Sequence, residues 1–299
     1  MGPTESLAAG RDGTPLWWRS AGGGGPPLLL SDGIGCSGFI WDRLFPALSR
    51  SRRVIHWNYR GHGKSGSPSD MSRCTIGDCV DDLLQVLDAA GEPRAVLVGH
   101  SMGVQVALEA WRRAPERVDG LVLALGSPSH PLETFHGSRL LAQVFPVLKG
   151  AMEAWPGGAR LFFQRLLPSE LSLQLGLWLE VNRQLVRRED LRHYLDDLSR
   201  VDTQVWLRLL DSAASHDARP WLPTIRVPTL VIGAERDTFT PVELARQMHE
   251  AIPGSEYLLL PAGSHMGLLE HGELTELRLS RFLEQRLPVR PPAAPEAAG

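Results

Sequence analysis

Residues 99–103, with the sequence Gly-His-Ser-Met-Gly, join two segments of different periodicity. Before them, residues 94–98 form a short aliphatic run that follows the turn signal Gly-Glu-Pro, a pattern that predicts a buried strand. After them, apolar residues recur at the spacing of one helical face, at Val104, Ala107, Leu108 and Trp111. A strand, a sharp turn and a helix are therefore expected, with Ser101 at the turn.

The turn predicted around Ser101 suits nucleophilic chemistry. Gly99 and Gly103 leave room for a strained backbone that packs closely on the neighbouring strand and helix. Such a turn lifts the serine hydroxyl clear of the sheet and directs the first amides of the helix, including that of Met102, toward the space above it. Backbone N–H groups in that position stabilise a negatively charged oxygen, so Met102 is a candidate oxyanion donor.

A serine hydroxyl is nearly unreactive at neutral pH unless a base takes its proton, and a carboxylate usually orients that base. In sites of this kind the acid and then the base follow the serine along the chain, each in a loop after a strand. Residues 229–233 predict a strand, and Asp237 lies in the segment after it. Residues 256–260 predict another strand, and the next loop contains His265. Ser101, Asp237 and His265 are the expected nucleophile, acid and base.

Other residues compete for these roles. Glu235 lies two residues before Asp237 and is a second candidate acid, and Asp237 itself is also suited to capping the helix that follows. His271 is a second candidate base, although it fits better into the final predicted helix. Ordinary packing or surface roles are expected for His62, His100, His249 and Cys36.

Four landmarks of the sequence form a recognisable set. They are the 99–103 segment, the Arg-Gly-His-Gly-Lys-Ser loop at residues 60–65, a Gly-x-x-x-Asp element that ends at Asp237, and the loop around His265. With them the chain resembles the α/β-hydrolase superfamily of esterases, lipases and dehalogenases over nearly its whole length. The resemblance implies a mostly parallel eight-stranded sheet with helices on both faces and a helical cap inserted after strand 6. It does not select a substrate, since one scaffold of this kind carries many reactions.

The chain departs from the family pattern in the loop after the third predicted strand. Most relatives carry His-Gly there, whereas this chain has Asp32-Gly33-Ile34. By position, the Ile34 amide is the second oxyanion donor beside that of Met102. A carboxylate that faced the oxyanion would oppose catalysis, so we expect Asp32 to turn away and bond the loop backbone or a neighbouring cation.

The regular alternation of strands and helices stops after the sixth predicted strand, where the sequence becomes helical and aromatic. We expect residues 127–222 to form a helical cap over the carboxyl edge of the sheet. Residues 1–126 and 223–287 are expected to form the α/β core domain. Residues 288–299, rich in proline and alanine, are expected to be disordered.

The cap and the catalytic loops are expected to enclose a largely apolar pocket. Most of the cap's aromatic residues are expected to form its own core: Trp155, Phe162, Phe163, Trp178, Tyr194 and Trp206. Trp41 and Met266 flank the catalytic loops in sequence and are the candidate substrate-binding residues. The side chains of Ile34 and Met102 are expected in the same wall.

The three candidate residues favour acyl transfer to water through an acyl-enzyme. The expected substrate is a small to medium, largely apolar carboxylic ester, thioester or lactone. The serine argues against the dehalogenases and epoxide hydrolases that share the fold but use aspartate at this turn. Carbon-carbon bond hydrolysis, acyl transfer to another acceptor and cofactor-free perhydrolysis remain alternatives on the same residues. A ligand-binding module with little turnover is an alternative of another class.

The composition of the 299-residue chain is compatible with one large α/β domain that carries an insertion, since 43% of its residues are apolar. The three cysteines lack a metal-binding spacing, and no apolar secretion core follows Met1, which together favour a reducing cytoplasm. No apolar run approaches the length of a membrane helix, and a net charge of -3 offers no general attraction to nucleic acid. We expect a small-molecule substrate, no metal or organic cofactor, and a monomer or homodimer.

Overall fold

The described part of the chain, residues 2–179 and 186–288, contains one eight-stranded sheet in this computed structural model. The strands are β1 (Thr4–Ala9), β2 (Pro15–Ala21), β3 (Leu28–Ser31), β4 (Val54–Trp57), β5 (Ala95–His100), β6 (Val118–Ala124), β7 (Thr229–Ala234) and β8 (Glu256–Leu260). Their spatial order is β1-β2-β4-β3-β5-β6-β7-β8. Strand β2 pairs antiparallel with β1 and β4, and the other neighbours pair parallel, so the predicted mostly parallel sheet is confirmed.

Helices connect and cover the strands. The α-helices are α1 (Leu44–Leu48), α2 (Ile76–Ala89), α3 (Met102–Arg113), α4 (Leu140–Ala154), α5 (Pro156–Leu161), α6 (Glu170–Leu179), α7 (Arg188–Arg200), α8 (Thr203–Ser215), α9 (Val242–Ala251), α10 (Gly267–Glu270) and α11 (Gly272–Arg286). Short 3₁₀ turns span Phe39–Trp41, Pro115–Arg117, Pro131–Glu133, Phe135–Gly137 and Arg219–Thr224, and a π turn spans Phe162–Leu166. Within the described residues, no helix has both the length and the apolar character needed to cross a bilayer.

Local signals explain where several elements begin. Helix α2 starts after Thr75, whose side chain accepts the Asp78 amide while the Asp78 carboxylate accepts the Thr75 amide. Helix α3 starts two residues before the apolar face that the sequence shows, because Ser101 has non-helical backbone angles and Met102 is already helical. Strand β8 has the bounds that the sequence predicts.

The core lies on both faces of the sheet. Along β3, Leu29 belongs to the buried cluster beneath α2 and α3, whereas Leu28 and Leu30 belong to the cluster beneath α11. All of the residues of β3 and β4 are buried. Successive strand residues point to opposite faces, so a strand that is covered on both sides is apolar without alternation. Helices therefore cover both faces of the sheet, as the sequence analysis expects.

A helical insertion separates β6 from β7, as the sequence predicts, and comprises α4 to α8 with the short turns around them. Its aromatic residues do not all form a cap core. Phe163 is buried, but Trp155 is 71% exposed and Phe162 is 47% exposed, because these two side chains lie on outward helix faces. The Trp178 side chain and residues 289–299 of the predicted tail lie outside the described residues.

Candidate active site

Ser101 occupies a sharp turn between β5 and α3. Its backbone angles are φ 55° and ψ −117°, a conformation that costs a non-glycine residue energy and persists only when the surrounding structure holds it. The Ser101 amide donates to the Ala124 carbonyl on β6 at 3.1 Å. A Cβ on Gly99 would lie 2.2 Å from the Gly103 carbonyl oxygen, and one on Gly103 would lie 2.4 Å from that of Ser31. Both glycines are therefore required by close backbone contact.

The structure brings the three predicted catalytic residues together from distant parts of the chain. His265 Nε2 lies 3.0 Å from Ser101 Oγ. On the other side of the ring, His265 Nδ1 lies 2.9 Å from Asp237 Oδ2 and 3.1 Å from Oδ1. If Nδ1 carries the proton, it donates to the carboxylate and leaves Nε2 available to accept the serine proton.

The loop after β7 holds the Asp237 carboxylate through three donors. The Phe239 and Thr240 amides donate to Oδ1 at 2.9 and 2.8 Å, and the Thr240 hydroxyl donates to Oδ2 at 2.8 Å. Phe239 and Thr240 were not among the candidate residues. Their signal in the sequence is the short spacing from an aspartate, which commonly accepts the amides two and three residues later.

The competing acid and base lie elsewhere. Glu235 accepts the Ala262 amide at 2.7 Å with Oε2, so its carboxylate bridges two loops and is not one of the partners of His265. His271 is the residue before helix α11. In this structure, Asp237 is the carboxylate that contacts the base candidate.

His100 contacts both the backbone and the ring of the candidate base, His265. Its Nε2 lies 3.1 Å from the His265 carbonyl oxygen, the two rings are 5.0 Å apart, and its side chain is buried. Burial, with a smaller contribution from His265, lowers the pKa of His100 to about 3. The ring is therefore neutral at physiological pH and donates Nε2–H to the carbonyl, which agrees with the packing role expected for it.

The loop after β3 lies directly over the serine. A Cβ on Gly33 would be 3.0 Å from Ser101 Cβ, and the Cys36 amide donates to the Gly33 carbonyl at 3.2 Å to close a turn. Ile34 in this turn and Met102 at the start of α3 both line the cavity that contains Ser101. The two candidate oxyanion donors thus flank the nucleophile.

Asp32 turns to a neighbouring strand. Its Oδ2 lies 2.9 Å from Nε2 of His56 on β4, and both side chains are almost fully buried. The Tyr59 hydroxyl donates to the Asp32 carbonyl at 2.9 Å. Asp32 does not line the described cavity, so the carboxylate points away from the serine, with an imidazole as its partner and not the loop backbone.

A cavity of about 370 Å³ opens above Ser101 between the sheet edge and the helical insertion. Its walls are mostly apolar and include Ile34, Met102, Leu132, Phe135, Leu141, Phe145, Leu148, Leu191, Tyr194, Leu195, Trp206, Leu210, Phe239 and Met266. The cap residues in this wall were not singled out by the sequence, because helical periodicity does not tell a pocket-facing side chain from a core-facing one.

Met266 lines this cavity as expected, but Trp41 does not. Trp41 is 0% exposed, belongs to the cluster that contains Leu30 and Phe45, and meets the His100 ring edge-on. Its assignment as a substrate-binding residue is wrong because nearness in sequence to a catalytic loop does not set the direction of a side chain. Cys36 also lines the cavity, and burial raises the pKa of its thiol well above its usual value, so the thiolate is suppressed.

Comparison with known proteins gives the family. A family model described as the alpha/beta hydrolase fold matches residues 26–272. Among curated proteins, the chain is 29% identical over 241 residues to the proposed carbamate hydrolase RutD of Azorhizobium caulinodans, covering 80% of this chain and 83% of that protein. It is 28% identical over 271 residues to the RutD of Klebsiella pneumoniae, covering 88% and 92%.

Solved structures agree on the architecture. The enol-lactonase from Burkholderia xenovorans superposes with a TM-score of 0.75 at 25% identity, covering 94% of this chain and all of that one. An esterase from Exiguobacterium antarcticum superposes with a TM-score of 0.77 at 22% identity and 95% coverage of this chain, and this likeness concerns the fold alone. With a family model that spans most of its length, this chain belongs to the α/β-hydrolase family.

Proposed function

We propose that this protein is a serine hydrolase that cleaves small to medium, largely apolar carboxylic esters or lactones through an acyl-enzyme. The observation that carries the proposal is the hydrogen-bonded chain from Ser101 Oγ to His265 at 3.0 Å and from His265 to Asp237 at 2.9 Å. A nucleophile, a base and an orienting carboxylate in this order form the arrangement that activates a serine at neutral pH.

In the first half of the proposed reaction, Ser101 Oγ attacks the carbonyl carbon while its proton moves to His265 Nε2. The carbonyl electron pair moves to the oxygen, and the amides of Ile34 and Met102 stabilise this oxyanion. The intermediate then collapses, the bond to the leaving alkoxide breaks, and His265 returns the proton to it. Asp237 holds the ring and stabilises its cationic form.

In the second half, water takes the place of the alcohol. His265 accepts a proton from the water as it attacks the acyl carbon, and a second oxyanion forms between the same two amides. Breaking the bond between the acyl carbon and Ser101 Oγ releases the carboxylic acid, and His265 returns the proton to the serine. The cycle consumes one water and one ester bond.

The cavity supports an apolar acyl group. Two polar side chains of its mostly apolar wall are already paired with protein groups: Gln105 Nε2 donates to the Ala213 carbonyl at 2.9 Å, and the Ser127 hydroxyl donates to the Ser129 carbonyl. Bringing the amino group of a carbamate into such surroundings without a partner would cost about 1–3 kcal/mol. An alkyl or aryl acyl group gains free energy on the same transfer. We therefore favour an ester or lactone over a carbamate of the kind named for the RutD relatives.

The experiment is labelling with a fluorophosphonate probe, followed by a substrate panel. Wild-type protein should label, and the Ser101→Ala variant should not. Turnover of p-nitrophenyl esters from acetate to decanoate should rise with chain length until the roughly 370 Å³ cavity is filled and then fall. An enol-lactone, a carbamate and a 1,3-diketone complete the panel. Absence of Ser101-dependent labelling would exclude the proposal, and preference for the diketone would indicate carbon-carbon bond hydrolysis.

A further inference from the structure

The loop after β3 is held in place by side chains from outside it. The Gly35 amide donates to His62 Nε2 at 3.1 Å, and the Ser37 amide donates to Asp197 of helix α7 at 3.0 Å. The Tyr59 hydroxyl adds a third contact, to the Asp32 carbonyl. The bond to His62 is nearest to Ile34, since the Gly35 N–H belongs to the peptide unit that Ile34 begins.

The surroundings of His62 leave its Nε2 as an acceptor. The ring is 1% exposed, and its Nδ1 lies 3.0 Å from the Arg60 carbonyl oxygen, which only accepts. Nδ1 must therefore carry the proton, and Nε2 must be bare in the neutral ring. This is the tautomer that can accept the Gly35 amide, so both ring nitrogens have matched partners.

We propose that His62 is a positioning residue that orients the Ile34 amide toward the oxyanion, an inference that rests on the proposed function of Ser101. The loop between Gly33 and Cys36 is a tight turn whose third residue, Gly35, has φ +79°. A turn with such a residue has other accessible backbone conformations, because glycine crosses φ regions at little cost. Anchoring the Gly35 N–H to a rigid buried ring selects one of them and with it the direction of the neighbouring Ile34 N–H.

The charge state of His62 is consistent with this role. Burial lowers the pKa of His62, while the Arg60 carbonyl and the carboxylates of Asp32 and Asp202 act in the opposite direction. A proton on Nε2 would bring a donor against the Gly35 N–H and break the anchor. The neutral ring is thus the form that supports the loop. The Tyr59 ring packs against it at a steep angle, with the two ring centres 5.9 Å apart and the planes 78° apart.

The experiment compares two substitutions of similar size, His62→Gln and His62→Met. Glutamine offers an amide oxygen that can accept the Gly35 N–H, whereas the methionine thioether is a weak acceptor. For p-nitrophenyl butyrate, we expect His62→Met to lower kcat about 10- to 100-fold with KM nearly unchanged, less than the loss of a whole oxyanion donor. His62→Gln should keep kcat within about threefold of wild type. A His216→Leu variant, altered at a partly buried histidine whose side chain is 10% exposed, controls for general damage to packing.

A second readout separates positioning from stability. An alkyl trifluoromethyl ketone forms a tetrahedral oxyanion on the serine, so its affinity should fall in parallel with kcat/KM in His62→Met and recover in His62→Gln. His216→Leu should change the melting temperature without changing this affinity. Equal losses in the Gln and Met variants, or wild-type kcat in His62→Met, would overturn the role of His62.

Imidazole ¹⁵N spectra of the wild-type protein test the same idea without any substitution. They should show His62 neutral, with its proton on Nδ1, at pH 8, where a pKa below its usual value leaves the ring uncharged. A proton on Nε2 would contradict the proposal even if His62→Met cannot be purified. Fluorophosphonate labelling of wild type but not of Ser101→Ala keeps the two proposals distinct, because it tests the nucleophile independently of His62.

Discussion

The ring of Phe239 stacks on the imidazole of His265, with ring centres 4.9 Å apart and planes 24° apart. The same loop sends its amides to Asp237, so one short segment fixes both the orientation of the base and the direction of the carboxylate. The His265 ring has an aromatic face on one side and the buried His100 ring 5.0 Å from its centre. Its freedom to rotate away from Ser101 is restricted by packing as well as by hydrogen bonds.

The choice of Asp237 over Glu235 as the acid can be tested directly. Asp237→Asn should lower kcat by about 10³- to 10⁴-fold with little change in KM, because an amide favours the wrong tautomer of His265. Glu235→Gln should stay within about threefold of wild type, since Glu235 contacts the Ala262 amide instead. Steady-state kinetics on one ester decides between them, and a larger loss in Glu235→Gln would reverse the assignment.

The hydroxyl of Thr240 should contribute to the rate through Asp237. Thr240→Val removes the 2.8 Å bond to Oδ2 but keeps the backbone donor to Oδ1, so we expect kcat to fall about three- to tenfold at constant KM. Thr229→Val makes the same chemical change in β7, where the hydroxyl bonds the Val227 carbonyl. This control should leave the kinetics unchanged, and similar losses in both variants would indicate a general effect of stability.

The pair of Asp32 and His56 should matter mainly for stability. Asp32→Ala leaves a buried imidazole without its partner and should lower the free energy of unfolding by about 3 kcal/mol. The ion pair of Arg50 and Glu276 is largely exposed, so Glu276→Ala should cost less than about 1 kcal/mol. Urea unfolding measures both. Equal losses of unfolding free energy in the two variants would mean that burial does not make the pair of Asp32 and His56 more important for stability.

His100 should make the protein less stable in acid. Its pKa is about 3 in the folded state and near 6.5 when unfolded, so the unfolded state binds a proton that the folded state does not. Above pH 6.5 the His100 ring is neutral in both states and does not change the free energy of unfolding with pH. Between pH 6.5 and about 3 that free energy falls by up to about 1.4 kcal/mol per pH unit, because only the unfolded state binds the proton. Urea titrations at pH 7, 6, 5 and 4 should show a shallower decline for His100→Gln than for wild type. Parallel slopes would show that His100 does not titrate in this range.

Several features followed from local chemistry. Residues 256–260 form a mostly apolar run between Pro-Gly-Ser and Pro-Ala-Gly-Ser, so strand β8 could be placed before any tertiary contact was known. The Thr-x-x-Asp pattern at the start of α2 was visible in the sequence but was not used. Chain order selected Asp237 and His265, because parallel strands bring the loops at their carboxyl ends to one edge of the sheet. The spacing of Thr240 behind Asp237 was also visible in the sequence but was not used.

The direction in which a side chain points was harder to predict from the sequence than the position of a strand or helix. Trp41 points into the core, Trp155 points outward, and Asp32 contacts His56 on the neighbouring strand β4. Each of these outcomes depends on how helices and strands pack, and the sequence positions of the three residues do not encode it. The cap wall of the cavity depends on packing in the same way.

The sequence by itself determined the strand, turn and helix around Ser101, the order of the acid and base, and the parallel sheet, because backbone propensity and hydrophobic period are local properties. Only the tertiary structure decided that the Gly35 amide donates to His62, that Phe239 stacks on His265, and which cap side chains line the cavity. Those contacts join residues far apart in the chain, and their geometry is set by the packing of whole elements against one another.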